Sequence, residues 1–281
     1  MIPQNTSTSE DDILEQEINH HVAKGDFLGE KGDYQGAVSA YKKAASLAPG
    51  ATAHWTRMAE AYAAADKPQL ALQCYQKVLE SGRHSKGPLP AEVVEAHLGL
   101  GDMCCSFAMS ATAVRSYERA VRSRPEIPFY RWKLASALIT LGLYEKAEQQ
   151  LKKALQLAPQ DAFYRFTLAD VYLLMRRDKE AIIELQKVVK MAKRDIYYHL
   201  RLGAALLRNR RPAEALPYFE RAVELDKEDN ESYRVLLRYA KQRNHKGQEH
   251  HADIAAEVES IELHPYDADY VGRFKLLSQP V

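Results

Sequence analysis

Three dodecamers carry the clearest pattern of apolar and polar positions in the chain: FYRWKLASALIT at 129–140, FYRFTLADVYLL at 163–174 and YYHLRLGAALLR at 197–208. Within each, apolar residues recur at spacings of three and four, which gathers them on one face of a helix. Successive copies stand thirty-four residues apart, and the interval extends in both directions. Small residues recur at Gly25, Ala59, Gly101, Ala135, Ala169 and Gly203. Twelve positions later come Ala37, Ala71, Ala113, Ala147, Ala181 and Ala215, and four further on Tyr41, Tyr75, Tyr117, Leu151, Leu185 and Phe219. Ala44, Val78, Ala120, Ala154, Val188 and Ala222 complete the frame. Each unit therefore predicts two antiparallel helices, A and B: the small residues let their backbones approach, and the large one fills the wedge between successive pairs. Gly142 lies between two such segments and suits a left-handed helix C-cap, Gly32 holds the same place in the first unit, and Pro212 suits the first turn of a B helix.

This frame resembles the tetratricopeptide repeat family. That pattern has a small residue at position 8, aromatic or leucine at 11, alanine at 20, aromatic at 24, alanine at 27 and proline at 32. The units run 18–51, 52–85, 94–127, 128–161, 162–195 and 196–229. Arg83, Lys193 and Lys227 replace the terminal proline, and position 4 is tryptophan only at Trp55. The resemblance implies an all-α fold, a right-handed α-solenoid of about six helix pairs with a C-terminal helical cap. Residues 1–17 form an N-terminal tail and the start of an extended first helix, with Ser9-Glu10-Asp11-Asp12 resembling a capping box. An insertion at 86–93 breaks the period between the second and third units, and PAEVVEAH predicts an early start for the next helix. Residues 230–263 read as capping helices, one over NESYRVLLRYAKQR and another over 250–262, and 264–281 as a tail without helical period.

By the same resemblance, positions 2, 5, 6, 9, 12 and 13 of each unit line the concave side. In the last three units these include Phe129, Trp132 and Lys133; Phe163, Phe166 and Asp170; Tyr197, Leu200, Arg201 and Arg208. The helix-pair core already uses positions 7, 8, 11, 20, 24 and 27, so these rings are expected to stand outside it. A large apolar side chain left in water forgoes about 1.5–3 kcal/mol of burial, and several in register mark a binding patch. The expected function is a non-catalytic protein-interaction scaffold or assembly factor that binds an apolar or amphipathic peptide segment in its groove. Three other readings stay open. The rings could pack against the neighbouring A helix. Tyr266, Tyr270, Phe274 and Leu276 of the tail could fill the groove. The arginines of the turns (Arg176, Arg177, Arg208, Arg210, Arg211) with stacking aromatics could bind RNA. The family's two-carboxylate peptide clamp is not reproduced: Val22, Asp26, Arg57, Glu95 and Gly99 occupy its positions.

Composition narrows the partners further. Lys and Arg number 39 against 38 Asp and Glu, a net charge of +1, which argues against bulk electrostatic capture of nucleic acid. No apolar run approaches the ~20 residues of a membrane span, and MIPQNTSTSEDDILEQE lacks the basic and apolar regions of a secretory leader. The three cysteines, Cys74, Cys104 and Cys105, fit a reducing, cytoplasmic compartment. No phosphate loop, H-E-x-x-H helix or other catalytic constellation is present, so no enzyme activity, cofactor or metal is expected. The histidines near the C-terminus (His245, His250, His251, His264) read as exposed rather than as ligands, and Cys105 is the one nucleophile facing the groove. Another protein or a peptide is the expected partner, without a small-molecule ligand, and a homo-oligomer is compatible with the sequence.

Overall fold

The computed structural model describes residues 10–82, 89–227 and 231–244. They form thirteen α-helices and no strand: α1 (Glu10–Glu30), α2 (Tyr34–Leu47), α3 (Thr52–Ala64), α4 (Pro68–Ser81), α5 (Ala91–Ser106), α6 (Ser110–Ser123), α7 (Pro128–Thr140), α8 (Tyr144–Leu157), α9 (Ala162–Leu174), α10 (Asp178–Met191), α11 (Ile196–Arg208), α12 (Pro212–Leu225) and α13 (Glu231–Asn244). The capping-box serine, the helix expected over 250–262, the tail aromatics and the four C-terminal histidines lie outside the described residues. No helix among those described is long and apolar enough to cross a membrane.

The chain divides into two compact units, up to Leu143 and from Tyr144. In the first, each helix from α1 to α7 packs on the next, and α3 also touches α5. In the second, α8 to α13 pack in the same consecutive order. Helices that pack mainly on their sequence neighbours are the mark of a repeat array.

The predicted frame is the core. Ala37, Ala71, Ala113, Ala147, Ala181 and Ala215 are fully buried, as are Ala44, Val78, Ala120, Ala154, Val188 and Ala222. The wedge residues Tyr41, Tyr75, Tyr117, Leu151, Leu185 and Phe219 are buried too. Glycine at position 8 goes with a large ring at position 24. A Cβ on Gly25 would sit 2.4 Å from the Tyr41 ring, one on Gly101 2.4 Å from Tyr117, and one on Gly203 2.7 Å from Phe219.

Every A-to-B turn closes in the same way. The residue at position 15 has positive φ in all six: Gly32 (+80°), Asp66 (58°), Ala108 (56°), Gly142 (+71°), Arg176 (61°) and Arg210 (58°). The following N–H bonds the carbonyl five residues back, as in Asp33 to Leu28 and Met109 to Cys104, and the turn residue's own N–H bonds the carbonyl three back. This is the Schellman arrangement, which satisfies carbonyls left over at the helix end. Four of six units make it without glycine. Among the B helices, α4 and α12 begin on Pro68 and Pro212, α2 is capped by Asp33, which accepts from the Gly36 N–H, and α6 and α10 have neither device. Within the insertion, Leu89 N–H donates to Ser123 Oγ at 3.1 Å, and α5 starts at Ala91, three residues ahead of the repeat boundary at 94.

Candidate functional site

The predicted groove residues fall on the A helices and split by depth. In the first unit, α7 buries Trp132 (4% exposed), while Phe129 and Lys133 beside it are half-buried. The Phe129 and Trp132 rings lie 5.5 Å apart, with Lys133 Nζ 5.3 Å and 5.9 Å from their centroids, within cation–π range. In the second unit, α9 buries Phe166 (0%) and Asp170, and α11 buries Leu200 and Arg201. Phe163 and Tyr197 are half-buried and Arg208 is exposed. Phe166 packs edge-on against Tyr197 at 5.4 Å and against Tyr198 at 5.0 Å.

The premise that these side chains stand outside the core therefore fails for the rings of Trp132 and Phe166 and for Leu200. Position 5 is buried in each of these three helices, and for Phe166 the cover is supplied by the next A helix. Position 2 carries the rings that water still reaches: Phe129, Phe163 and Tyr197.

The polar residues form a ladder that was not anticipated. An acid at position 9 of one A helix meets a base at position 6 of the next. Asp26 pairs with Arg57, and Lys133 Nζ lies 2.7 Å from Asp102 Oδ1. In the second unit Arg201 holds the buried Asp170, with Nε 3.1 Å from Oδ1 and Nη2 on the same oxygen. Burial pushes the Asp170 carboxyl up, and Arg201 opposes it. In the first unit the wedge tyrosine joins the pair: Tyr41 Oη donates to Asp26 at 2.8 Å and Tyr117 Oη to Asp102 at 2.5 Å. The signal was present in the sequence as an acid followed thirty-one residues later by a base, at 26 and 57, 102 and 133, 170 and 201. It escapes a reading that treats each unit alone.

The turn arginines are largely committed to acids. Arg208 pairs with Asp178 and also donates to the Leu173 carbonyl at 3.0 Å; Arg177 bridges Glu148 and Glu180; Arg211 holds Glu214. Cys105 is exposed, with Sγ 3.8 Å from Tyr117 Oη. Desolvation by the surrounding protein pushes its thiol up, the Tyr117 contact opposes this, and Asp102 adds to the rise, opposite to what a reactive thiolate needs.

Sequence models of tetratricopeptide repeats match residues 30–86, 110–162 and 196–229, and one described as YpiA-like, tetratricopeptide repeats, matches 140–192. No curated protein matches the sequence. Among solved structures, the C-terminal part of a TPR repeat-containing protein from Cytophaga hutchinsonii is similar at a TM-score of 0.64 and 17% identity, over 91% of this chain and 98% of that one. YrrB, a TPR protein with an unusual peptide-binding site, is similar at 0.55 and 20% identity, over 73% and 100% of the two chains. MamA from Desulfovibrio magneticus RS-1 is similar at 0.55 and 19% identity, over 64% and 97%. At these identities the likeness concerns the fold alone.

Proposed function

Because the chain belongs to the tetratricopeptide repeat family, we propose that it is a non-catalytic protein-interaction scaffold whose A-helix faces take up an apolar or amphipathic peptide segment. The observation that carries this reading is the two-level arrangement on α9 and α11 of the second unit. There Phe166 and Leu200 are buried, and Phe163 and Tyr197 beside them are half-buried; within the first unit, α7 likewise buries Trp132 and leaves Phe129 half-buried. Rings held in place by packing beneath them lose little side-chain entropy on binding, which suits aromatic anchors at an interface. YrrB supports the reading in that a relative by fold carries a peptide-binding site. The RNA alternative draws less support, because Arg177, Arg208 and Arg211 are already paired with carboxylates, so fewer cations are left for phosphates.

The test is selection of displayed random dodecapeptides on the full chain, followed by binding of the recovered sequences to wild type and to Phe163→Ser/Tyr197→Ser. Sequences with apolar anchors should emerge, and the double variant should bind them at least about tenfold more weakly with unchanged helicity. Equal binding by the variant, or no selected peptide, removes the reading.

A further inference from the structure

The acid–tyrosine–base triad of the first unit is broken at one joint. Between the first and second A helices it reads Asp26, Tyr41, Arg57, and between the third and fourth it reads Asp102, Tyr117, Lys133. Between the second and third the acid is Glu60 and the tyrosine Tyr75, but position 6 is Gly99. Among the described residues no base pairs with Glu60 there. The side chain of Tyr75 is 1% exposed, and its hydroxyl reaches into the place a side chain at residue 99 would occupy, 2.6 Å from where a Cβ would lie.

Two polar groups are left open by this substitution. Tyr75 Oη has no hydrogen-bond partner among the described residues, unlike its counterparts Tyr41 and Tyr117. Glu60 has no ion pair among them either. Its surroundings are acidic: Glu95 and Asp102 lie near it, Asp26 is one joint away, and the nearest cation, Arg57, is committed to Asp26. Asp26 and Asp102 are neutralised by Arg57 and Lys133, whereas Glu60 and Glu95 are not. Glu60 is exposed, so a cation from outside can reach its carboxylate.

We propose that this joint is a receptor for a lysine or arginine side chain of a partner peptide, with Glu60 and Tyr75 Oη accepting from the incoming cation and Glu95 adding field. The neighbouring joints show the chemistry internally: there a carboxylate at position 9 and a tyrosine at position 24 surround a resident base. Gly99 removes that base and places the Tyr75 hydroxyl beside the backbone instead, so a counter-ion for Glu60 at this joint has to come from outside. A charge-assisted hydrogen bond is stronger than a neutral one, so a carboxylate without a resident counter-ion selects a cationic side chain over an uncharged one of similar length. This inference rests on the peptide-scaffold reading and adds the identity of one anchor.

The probe is a set of fluorescein-tagged dodecapeptide pools, randomised except for one position fixed in turn as lysine, arginine, norleucine or glutamate, titrated by anisotropy against the full chain. At one position, lysine and arginine pools should bind about tenfold more tightly than the norleucine pool. Raising the salt should narrow that margin. Glu60→Gln should erase the preference and leave norleucine-pool binding unchanged, while Glu118→Gln, on the exposed side of α6, should keep it. Basic pools that bind no better than norleucine, or a preference that survives Glu60→Gln, overturn the receptor and leave the scaffold reading intact. Absence of binding by every pool overturns both.

Discussion

Lowering the pH from 7 to 4 should cost the fold about 3 kcal/mol through His97 alone. This histidine lies on α5, largely buried, with Nδ1 shielded from water and no hydrogen-bond partner. Burial, with a smaller push from Arg119, lowers its pKa from 6.5 to about 4. In the unfolded chain the imidazole takes up a proton near pH 6.5, whereas the folded protein resists until about pH 4. Between those values the unfolded state holds the extra proton, so stability falls as pH falls, by about 1.4 kcal/mol per pH unit. Over about 2.5 pH units, rounded at the lower end where the folded state begins to protonate, the loss comes to about 3 kcal/mol. Carboxylates titrate in the same range, so the measurement is a difference. Urea unfolding of wild type and His97→Phe is followed by circular dichroism at half-unit steps. Phenylalanine is similar in size, does not titrate and leaves no orphaned nitrogen. The stability of wild type relative to the variant should fall by about 3 kcal/mol between pH 7 and pH 4, with equal m-values. A difference that does not change with pH, or a His97 titration by NMR close to 6.5, refutes the argument.

Ala108 takes the left-handed conformation (φ 56°) at the α5–α6 turn, and Ala108→Gly should stabilise by about 0.5–1 kcal/mol, since relief of Cβ strain exceeds the extra backbone entropy of glycine. A thermal melt that moves downward would show that the turn holds alanine without strain. Phe166→Ala, at a fully buried ring between α9 and α11, should cost about 3–5 kcal/mol in denaturant unfolding; an unchanged midpoint would put the ring outside the core.

What the sequence made legible was everything that repeats inside one helix pair. The small residue at position 8, the alanine at 20 and the wedge at 24 must meet within a single hairpin, so a thirty-four-residue frame predicts their burial. The turns were half legible. Gly32 and Gly142 announce a left-handed residue, but Asp66, Ala108, Arg176 and Arg210 adopt the same φ because two carbonyls at the helix end need the N–H groups that follow. A side chain tolerates about 1–2 kcal/mol of strain when the alternative is unmet hydrogen bonds of similar worth.

The site was less legible because its determinants lie between pairs. Phe166 looks surplus when its own hairpin is considered alone, yet α11 covers it with Tyr197 and Tyr198. Asp170 looks like a groove charge until Arg201, thirty-one residues on, is placed against it. The rule that organises these faces pairs position 9 of one unit with position 6 of the next, and a column-by-column reading of repeats cannot display a relation between two columns in different rows. Gly99 shows the consequence. Taken within its own unit it is an unremarkable small residue on a helix. Set against Arg57 and Lys133 it is the one joint of the first unit where the base is missing, and the acid and the phenol that would have held that base are both still there.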